Sequence, residues 1–253
     1  MIKSAIPSTS LASALSLLRL FSAKKPSWTI DELVAATGLS RSTAYRYVRD
    51  MVASGMLFVV SGKFYELGPA IIELDNLIQQ CDPLLRVLPS IVQKIRSKNQ
   101  HGVVVHRLYN MRVVCVFTDR PDQSFESTYR RGDPVPLFSE ATSRVMIAHL
   151  PLRKLHELYL ASAEEVHRQG LGTDWQSFRA SLAAIRKQGW AMTRNLEKDQ
   201  SRLSAPIFNA GGQAIAGLSQ SLPSSEPDPE YVQQLARLIC QWADEIGQHL
   251  AAG

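Results

Sequence analysis

Two helices that meet at a three-residue corner constrain this chain more than any other feature. In TIDELVAATGLSRSTAYRYVRDMVASG, residues 29–55, Thr29 and Glu32 have the spacing of a capping box, which begins a helix. Gly38 suits the left-handed position that ends this helix, and Ser40 suits the N-cap of the next one. Because only Gly38 to Ser40 separate the helices, the segment predicts a helix-turn-helix.

The second helix has two different faces. At 100° per residue, its core side holds Ala44, Val48, Met51 and Val52, with Tyr47 turned towards them. Ser42, Tyr45, Arg46 and Arg49 share the solvent side. Arg41, Ser42 and Thr43 lie in the first turn, where helix amides can also meet a phosphate.

A short hairpin follows the helices. The runs Leu57–Val60 and Phe64–Leu67 are rich in β-forming residues, and the turn between them has Gly62 at its tip and Lys63 beside it. With an N-terminal amphipathic helix predicted from Leu11, Leu15, Leu18 and Phe21, these elements predict a winged helix-turn-helix. The N-terminal segment has an interrupted apolar run with helical spacing, which favours this helix over a secretory signal.

Arginines on one helix face often form only a solvated surface, but here the corner, the caps and the wing occur in the order that DNA binding requires. We therefore expect the following residues to contact DNA: Ser40, Arg41, Ser42, Thr43, Tyr45, Arg46, Arg49 and Lys63.

Two prolines divide the next segment into two helices. Pro69 suits a first helical turn, and Pro83 separates the helices. We predict a DNA-binding domain over residues 1–68, a linker helix over 69–82 and a second domain over 83–253. The linker stripe of Ile71, Leu74 and Ile78 either pairs with a second subunit or packs on its own domain. A second stripe comprises Leu84, Leu88, Ile91 and Ile95.

The remaining residues alternate between strand-like and helix-like runs. Hairpin-linked strands with helices on their faces predict an α+β sensor domain with an antiparallel sheet. Residues 124–132, SFESTYRRG, are a candidate third strand of this domain.

The sequence gives no reason to predict an enzyme, a cofactor or a metal. It lacks the zinc-protease, nucleophile-elbow and phosphate-loop motifs, and His101 and His106 are five residues apart, so a strand would turn them to opposite sides. Three cysteines without paired spacing argue against a disulfide framework. A net charge of +5 permits a polyanionic partner. We expect a cytoplasmic protein that does not bind a membrane.

Polar residues on predicted inner strands suggest a ligand. Ser219 and Ser221 share one strand face, and Arg202 begins the neighbouring strand, where it could clamp a carboxylate. An edge arginine with solvent-facing serines is the alternative. Candidates for the apolar walls are Phe138, Met192 and Leu218, although strand alternation would point Leu218 away from the serines.

The chain resembles the IclR family of bacterial transcription regulators over nearly its whole length. The segments that carry the resemblance are LASALSLLRLF, TIDELVAATGLSRSTAYRYVRDMVASGML, FYELGPAIIEL, RRGDPVPLFSEATSRVMIAHLP and GWAMTRNLEKDQSRLSAPIFNAGGQAIAGLSQS. The resemblance implies a GAF-like C-terminal domain, a homodimer or dimer of dimers, and a small organic effector. It places the effector pocket at Ala141, Thr142, Arg202, Ser219 and Ser221.

These observations favour a transcriptional regulator, either repressor or activator, that binds a near-palindromic double-stranded DNA operator under the control of a small organic acid. The alternative is a metabolite-binding module or enzyme whose winged helix serves protein contacts.

Overall fold

The computed structural model describes residues 9–99, 101–119, 129–195, 199–222 and 224–252. The chain divides into two compact units, Met1–Cys81 and Asp82–Gly253. Along the described part of the chain, no helix has the length and apolar character needed to cross a membrane.

The first unit is a winged helix-turn-helix. Its elements are α1 Ser10–Leu17, a 3₁₀ turn Leu18–Leu20, α2 Ile30–Thr37, α3 Arg41–Ala53, β1 Leu57–Val60, β2 Phe64–Leu67 and α4 Pro69–Cys81. The Thr29 side chain accepts a hydrogen bond from the Glu32 amide while the Glu32 carboxylate accepts one from the Thr29 amide, so the predicted capping box is confirmed. Gly38 ends α2 with φ of 71°, and Ser40 caps α3, as the sequence predicts.

The core of the first unit is small and comes from every element except α4. Its buried residues are Leu17, Leu33, Val48, Met51 and Leu57. The predicted N-terminal helix exists, but it ends at Leu17, and Leu11 and Leu15 are 69% and 49% exposed. Leu18 and Phe21, which follow the helix, pack against the core, whereas within the helix Ser13 and Leu17 are the buried residues.

At the open end of the hairpin, the backbone of Gly68 lies against the backbone of residues 55–57. Gly68, directly after β2, donates its amide proton to the Met56 carbonyl at 2.8 Å. A Cβ atom on Gly68 would lie 2.0 Å from the carbonyl oxygen of Gly55 and 2.9 Å from the Leu57 nitrogen. Backbone atoms cannot move aside as a flexible side chain can, so only glycine fits here.

Replacing Gly68 with alanine is expected to destabilise the first unit by about 1–3 kcal/mol, the usual cost of overpacking. Chemical denaturation followed by circular dichroism would measure it. The control is Gly211→Ala, where the added Cβ would meet only the Asn209 side chain, at 3.4 Å. Equal stability of Gly68→Ala and the wild type would contradict the close approach.

Helix α4 contributes no residue to the core cluster of the first unit. None of its residues is buried, and Ile72, Leu74, Leu77 and Ile78 are all about half exposed or more. Of the predicted linker stripe, Leu74 and Ile78 are exposed and Ile71 is half-buried, so Leu74 and Ile78 do not pack into the core of their own domain.

The second unit is an α/β domain around one antiparallel sheet. Its strands are β3 Val103–Tyr109, β4 Arg112–Asp119, β5 Pro134–Val135, β6 Ala191–Asn195, β7 Gln200–Phe208 and β8 Ala214–Leu222, in the order β5-β4-β3-β8-β7-β6. Its helices are α5 Pro83–Arg96, α6 Ala141–Ile147, α7 Leu152–Arg168, α8 Trp175–Gln188 and α9 Pro229–Ala252. The candidate third strand lies outside the described residues over 124–128, and residues 129–132 form a loop before the two-residue edge strand β5.

The two faces of this sheet have different neighbours. One face packs on α5 and α9, and the predicted α5 stripe of Leu84, Leu88, Ile91 and Ile95 is fully buried there. The other face meets α6, whose Thr142 lies so close to β8 that a Cβ on Gly217 would be 2.4 Å from its methyl group. Helices α7 and α8 share a separate aromatic core around Phe178.

Candidate functional site

The solvent face of α3 is open and basic. Arg41, Arg46 and Arg49 are exposed, together with Ser42 and Tyr45, which is 58% exposed. Ala44, Val48 and Met51 are buried on the opposite side, so the predicted division of the helix is confirmed. Tyr47 is half-buried and packs against the core, as predicted.

Hydroxyl groups organise the first turn of α3. The exposed Ser40 accepts a hydrogen bond from the Thr43 amide at 3.3 Å and donates to the Thr43 hydroxyl at 2.8 Å. Its oxygen also lies 3.1 Å from the hydroxyl of Ser42. This cap fixes the direction in which α3 leaves the corner, and therefore the direction of its arginines.

The arginines and Lys63 have only weak partners of their own. Arg41 pairs with Asp31 and Arg49 with Asp50, and all four side chains are exposed. The Arg46 guanidinium lies 5.4 Å from the Tyr47 ring centre, and the exposed Lys63 lies 5.5 Å from that of Phe64. Exposed ion pairs contribute about 0–1 kcal/mol, so a polyanion can replace the aspartates at little cost.

In the second unit, strand register brings distant polar residues to one face of the sheet. Arg202 and Ser204 of β7 stand opposite Ser221 and Ser219 of β8. Side chains two residues apart point to the same side, so all four belong to one face, which we call the polar sheet face. Thr193, paired with Arg202, extends this face into β6.

Three buried hydroxyls at the centre of the polar sheet face satisfy one another. Ser204 and Ser219 lie 2.6 Å apart, and Thr142 of α6 is 3.2 Å from Ser204 and 3.3 Å from Ser219. Ser219 has a further bond to the Leu203 carbonyl. The neighbouring Ala141 is 0% exposed, and its amide donates to the Thr193 hydroxyl at 3.3 Å. The structure thus brings α6 and the two serine-bearing strands together.

Arg202 is almost fully buried and faces an internal acid. One guanidinium nitrogen donates to Oε2 of Glu140 at 2.9 Å, and the Tyr129 hydroxyl donates to Oε1 of the same carboxylate at 2.9 Å. The guanidinium also lies 5.2 Å from the centre of the Tyr129 ring. Burial, followed by the charge of Glu140, raises the pKa of Tyr129 and keeps its phenol protonated. Glu140 therefore already binds one side of the Arg202 guanidinium, the group that we expect to bind a ligand's carboxylate.

His106 completes the polar sheet face on β3, where it stands opposite Gly217. Its ring is 0% exposed and meets Tyr129 edge-on with centroids 5.2 Å apart. Burial and, secondarily, the positive charge of Arg202 lower the pKa of His106 to about 3, so the imidazole is neutral.

The predicted apolar walls lie elsewhere. Leu218 and Met192 point to the opposite side of the sheet and join the core with α5 and α9. Phe138 packs on Phe178 in the core of α7 and α8. The expectation that Phe138 and Met192 line the site is wrong, because Met192 pairs with Leu203 rather than Arg202 and Phe138 lies in another core. The alternation that turns Leu218 away from the serines is confirmed.

Sequence reasoning missed Ser204 and His106 on the polar sheet face, and it missed Glu140 and Tyr129, which lie against Arg202. Ser204 could have been found, since it lies two residues after Arg202 on the same predicted strand. In the described ranges, no three His, Cys, Asp or Glu side chains are grouped so as to hold a metal ion. His101 precedes β3 and contacts Tyr231 instead.

Comparison with known families covers both units. The model for the IclR helix-turn-helix domain matches residues 10–58, and that for the bacterial transcriptional regulator IclR C-terminal domain matches residues 81–248. The chain belongs to the IclR family of bacterial transcriptional regulators.

Among similar IclR-family proteins is the transcriptional regulator KipR of Bacillus subtilis, 26% identical over 81% of this chain and 82% of its own. KdgR of Dickeya chrysanthemi is 25% identical over 87% and 74%. A solved IclR regulator from Alicyclobacillus acidocaldarius matches with a TM-score of 0.77 at 18% identity, over 96% of this chain and 98% of its own.

A further similar structure is an IclR homologue from Microbacterium hydrocarbonoxydans complexed with 4-hydroxybenzoate, with a TM-score of 0.72 at 20% identity over 97% and 100% of the two chains. As an IclR-family member, this protein is a DNA-binding transcriptional regulator with an effector-binding C-terminal domain, and KipR and KdgR are named as regulators rather than enzymes.

Proposed function

We propose that this regulator binds a near-palindromic operator as a homodimer or dimer of dimers, and that a small organic acid on the polar sheet face changes the binding. The observation that carries the DNA half is the open basic face of α3. In a bacterial cell this activity belongs to the cytoplasm.

Helix α3 enters the major groove in this proposal. Its exposed face presents Tyr45, Arg46 and Arg49 to the edges of the DNA bases. Near the first turn of the helix, Ser42 and Thr43 bind the sugar-phosphate backbone of the DNA. The Arg41 side chain leaves its ion pair with Asp31 and binds a DNA phosphate instead. Lys63, at the tip of the wing, contacts the DNA phosphate backbone outside the major groove.

The exposed apolar stripe of α4 supports assembly of more than one chain. Leu74, Leu77 and Ile78 expose large side chains on one side of this short helix, and a monomer would leave them in water. Pairing of these stripes in a symmetric dimer would set two α3 helices at a fixed distance, which matches an operator with two half-sites.

The burial of Arg202 supports the proposal that the effector binds through a carboxylate. A buried guanidinium fork suits a carboxylate, Ser221 stands beside it in register, and Ala141, Thr142 and Ser219 form the adjoining floor. The IclR homologue from Microbacterium hydrocarbonoxydans holds an aromatic acid, 4-hydroxybenzoate. A relative in Acinetobacter baylyi is named as the p-hydroxybenzoate hydroxylase transcriptional activator.

Footprinting on the DNA upstream of its own gene tests the symmetry. We expect protection of two inverted half-sites whose centres are about one helical turn, or a multiple of it, apart. A single isolated half-site would contradict the dimeric proposal. Absence of any specific protection would contradict an operator at this place.

A further inference from the structure

His106 is a buried polar side chain that other parts of the described chain leave without hydrogen bonds. It is 0% exposed, and neither Nδ1 nor Nε2 has a partner within residues 9–99, 101–119, 129–195, 199–222 or 224–252. A neutral imidazole has one donor and one acceptor nitrogen. Because unsatisfied buried polar groups destabilise a fold, they indicate a role in binding when they lie in a candidate site.

The position of His106 ties it to the proposed effector site. It lies opposite Gly217 in the β3–β8 register, two residues along β8 from Ser219, and thus on the polar sheet face. Its ring and the Arg202 guanidinium both contact the ring of Tyr129. A ligand anchored at Arg202 and extending across Tyr129 would reach His106.

We propose that His106 binds a hydroxyl group of the effector, so that the effector is a hydroxy acid. This rests on the proposed function, in which Arg202 holds the carboxylate. A hydroxyl fits either tautomer of the ring, because it donates to a bare nitrogen and accepts from an N–H.

The charges at this end of the site disfavour charged groups on the effector. Burial holds the pKa of His106 at about 3, so the ring offers no positive charge to a second carboxylate. An ammonium group would be repelled by Arg202, whose charge contributes to that lowered pKa. A neutral hydroxyl avoids both penalties.

The test compares acids that differ by one hydroxyl. Calorimetry would measure benzoate against its three monohydroxy derivatives, and hexanoate against 6-hydroxyhexanoate, on the full-length wild type, His106→Leu and His106→Gln. We expect at least one hydroxy acid to bind the wild type about tenfold more tightly than its parent, the size of one good buried hydrogen bond. His106→Leu should abolish this preference and leave the parent acid's affinity unchanged, while His106→Gln should retain part of it.

Thermal unfolding gives a second readout that a structural role would not produce. Replacing an unsatisfied buried histidine with leucine should leave the melting temperature unchanged or raise it. His149→Leu is the matched control, because the His149 ring bonds the Val145 carbonyl at 2.8 Å and its loss should lower the melting temperature.

Each contrary outcome has a distinct meaning. A hydroxyl preference that survives in His106→Leu, or a clear fall in its melting temperature, overturns the role of His106. Equal binding of hydroxy and parent acids overturns the hydroxy-acid class and leaves the carboxylate effector standing. If none of the acids binds, the effector half of the proposed function fails, and this inference fails with it.

Discussion

Replacing Arg46 and Arg49 together with alanine should weaken operator binding by at least about thirtyfold, because each base-reading arginine contributes about 1–3 kcal/mol. Both side chains are exposed on the face of α3 opposite the buried Ala44, Val48 and Met51, so their removal leaves the core intact. Fluorescence anisotropy with labelled operator DNA would measure the change, and circular dichroism would confirm the fold.

Two matched variants separate base reading from general attraction to DNA. Lys63→Ala should weaken binding to all DNA sequences about equally, and the slope of log affinity against log salt should fall by about 0.9 for each phosphate that is no longer neutralised. Arg19→Ala removes an exposed arginine outside α3 and should change little. If the double variant bound the operator as tightly as Arg19→Ala does, α3 would not be the recognition helix.

Replacing Arg202 with alanine should weaken a carboxylate effector by about ten- to a hundredfold, which corresponds to a charge-assisted bond of about 1.5–3 kcal/mol. Glu140→Gln should act in the opposite direction, because it removes the carboxylate that now shares the guanidinium. Calorimetry against a panel of organic acids would measure both affinities.

Arg194→Ala is the control for this pair of variants. Arg194 is exposed on the same sheet, but it neighbours Thr193 and therefore points to the opposite side from the polar sheet face. DNA binding without effector should be the same in all three variants. Equal acid affinities of Arg202→Ala and the wild type would remove Arg202 from the effector site.

The DNA-binding unit could be predicted from the sequence because its signals are local. The capping box at Thr29, the left-handed Gly38 and the cap at Ser40 each act within a few residues, and together they fix both helices and the corner between them. Periodicity was less reliable in α1. It detected the stripe of Leu11 and Leu15, but it could not tell that the core lies against Leu17.

The second unit was only partly predictable because its contacts join distant parts of the chain. A tight turn near Gly211 links β7 and β8, so the pairing of Arg202 with Ser221 follows from a local feature. By contrast, Glu140 and Arg202 are 62 residues apart, and no local signal brings a glutamate in a loop to an arginine in a strand. Such a pair depends on how α6 packs on the sheet.

The internal ion pair between Glu140 and Arg202 sets a concentration threshold for the proposed sensor. An acid that needs Arg202 must displace Glu140, so the apparent dissociation constant equals the intrinsic one divided by the fraction of molecules in which the pair is open. If the pair were open in about one molecule in a hundred, about a hundredfold more acid would be needed for half-saturation. Because Glu140 competes for Arg202, the regulator would stay unbound at trace concentrations of a metabolite and bind it only after the metabolite has accumulated.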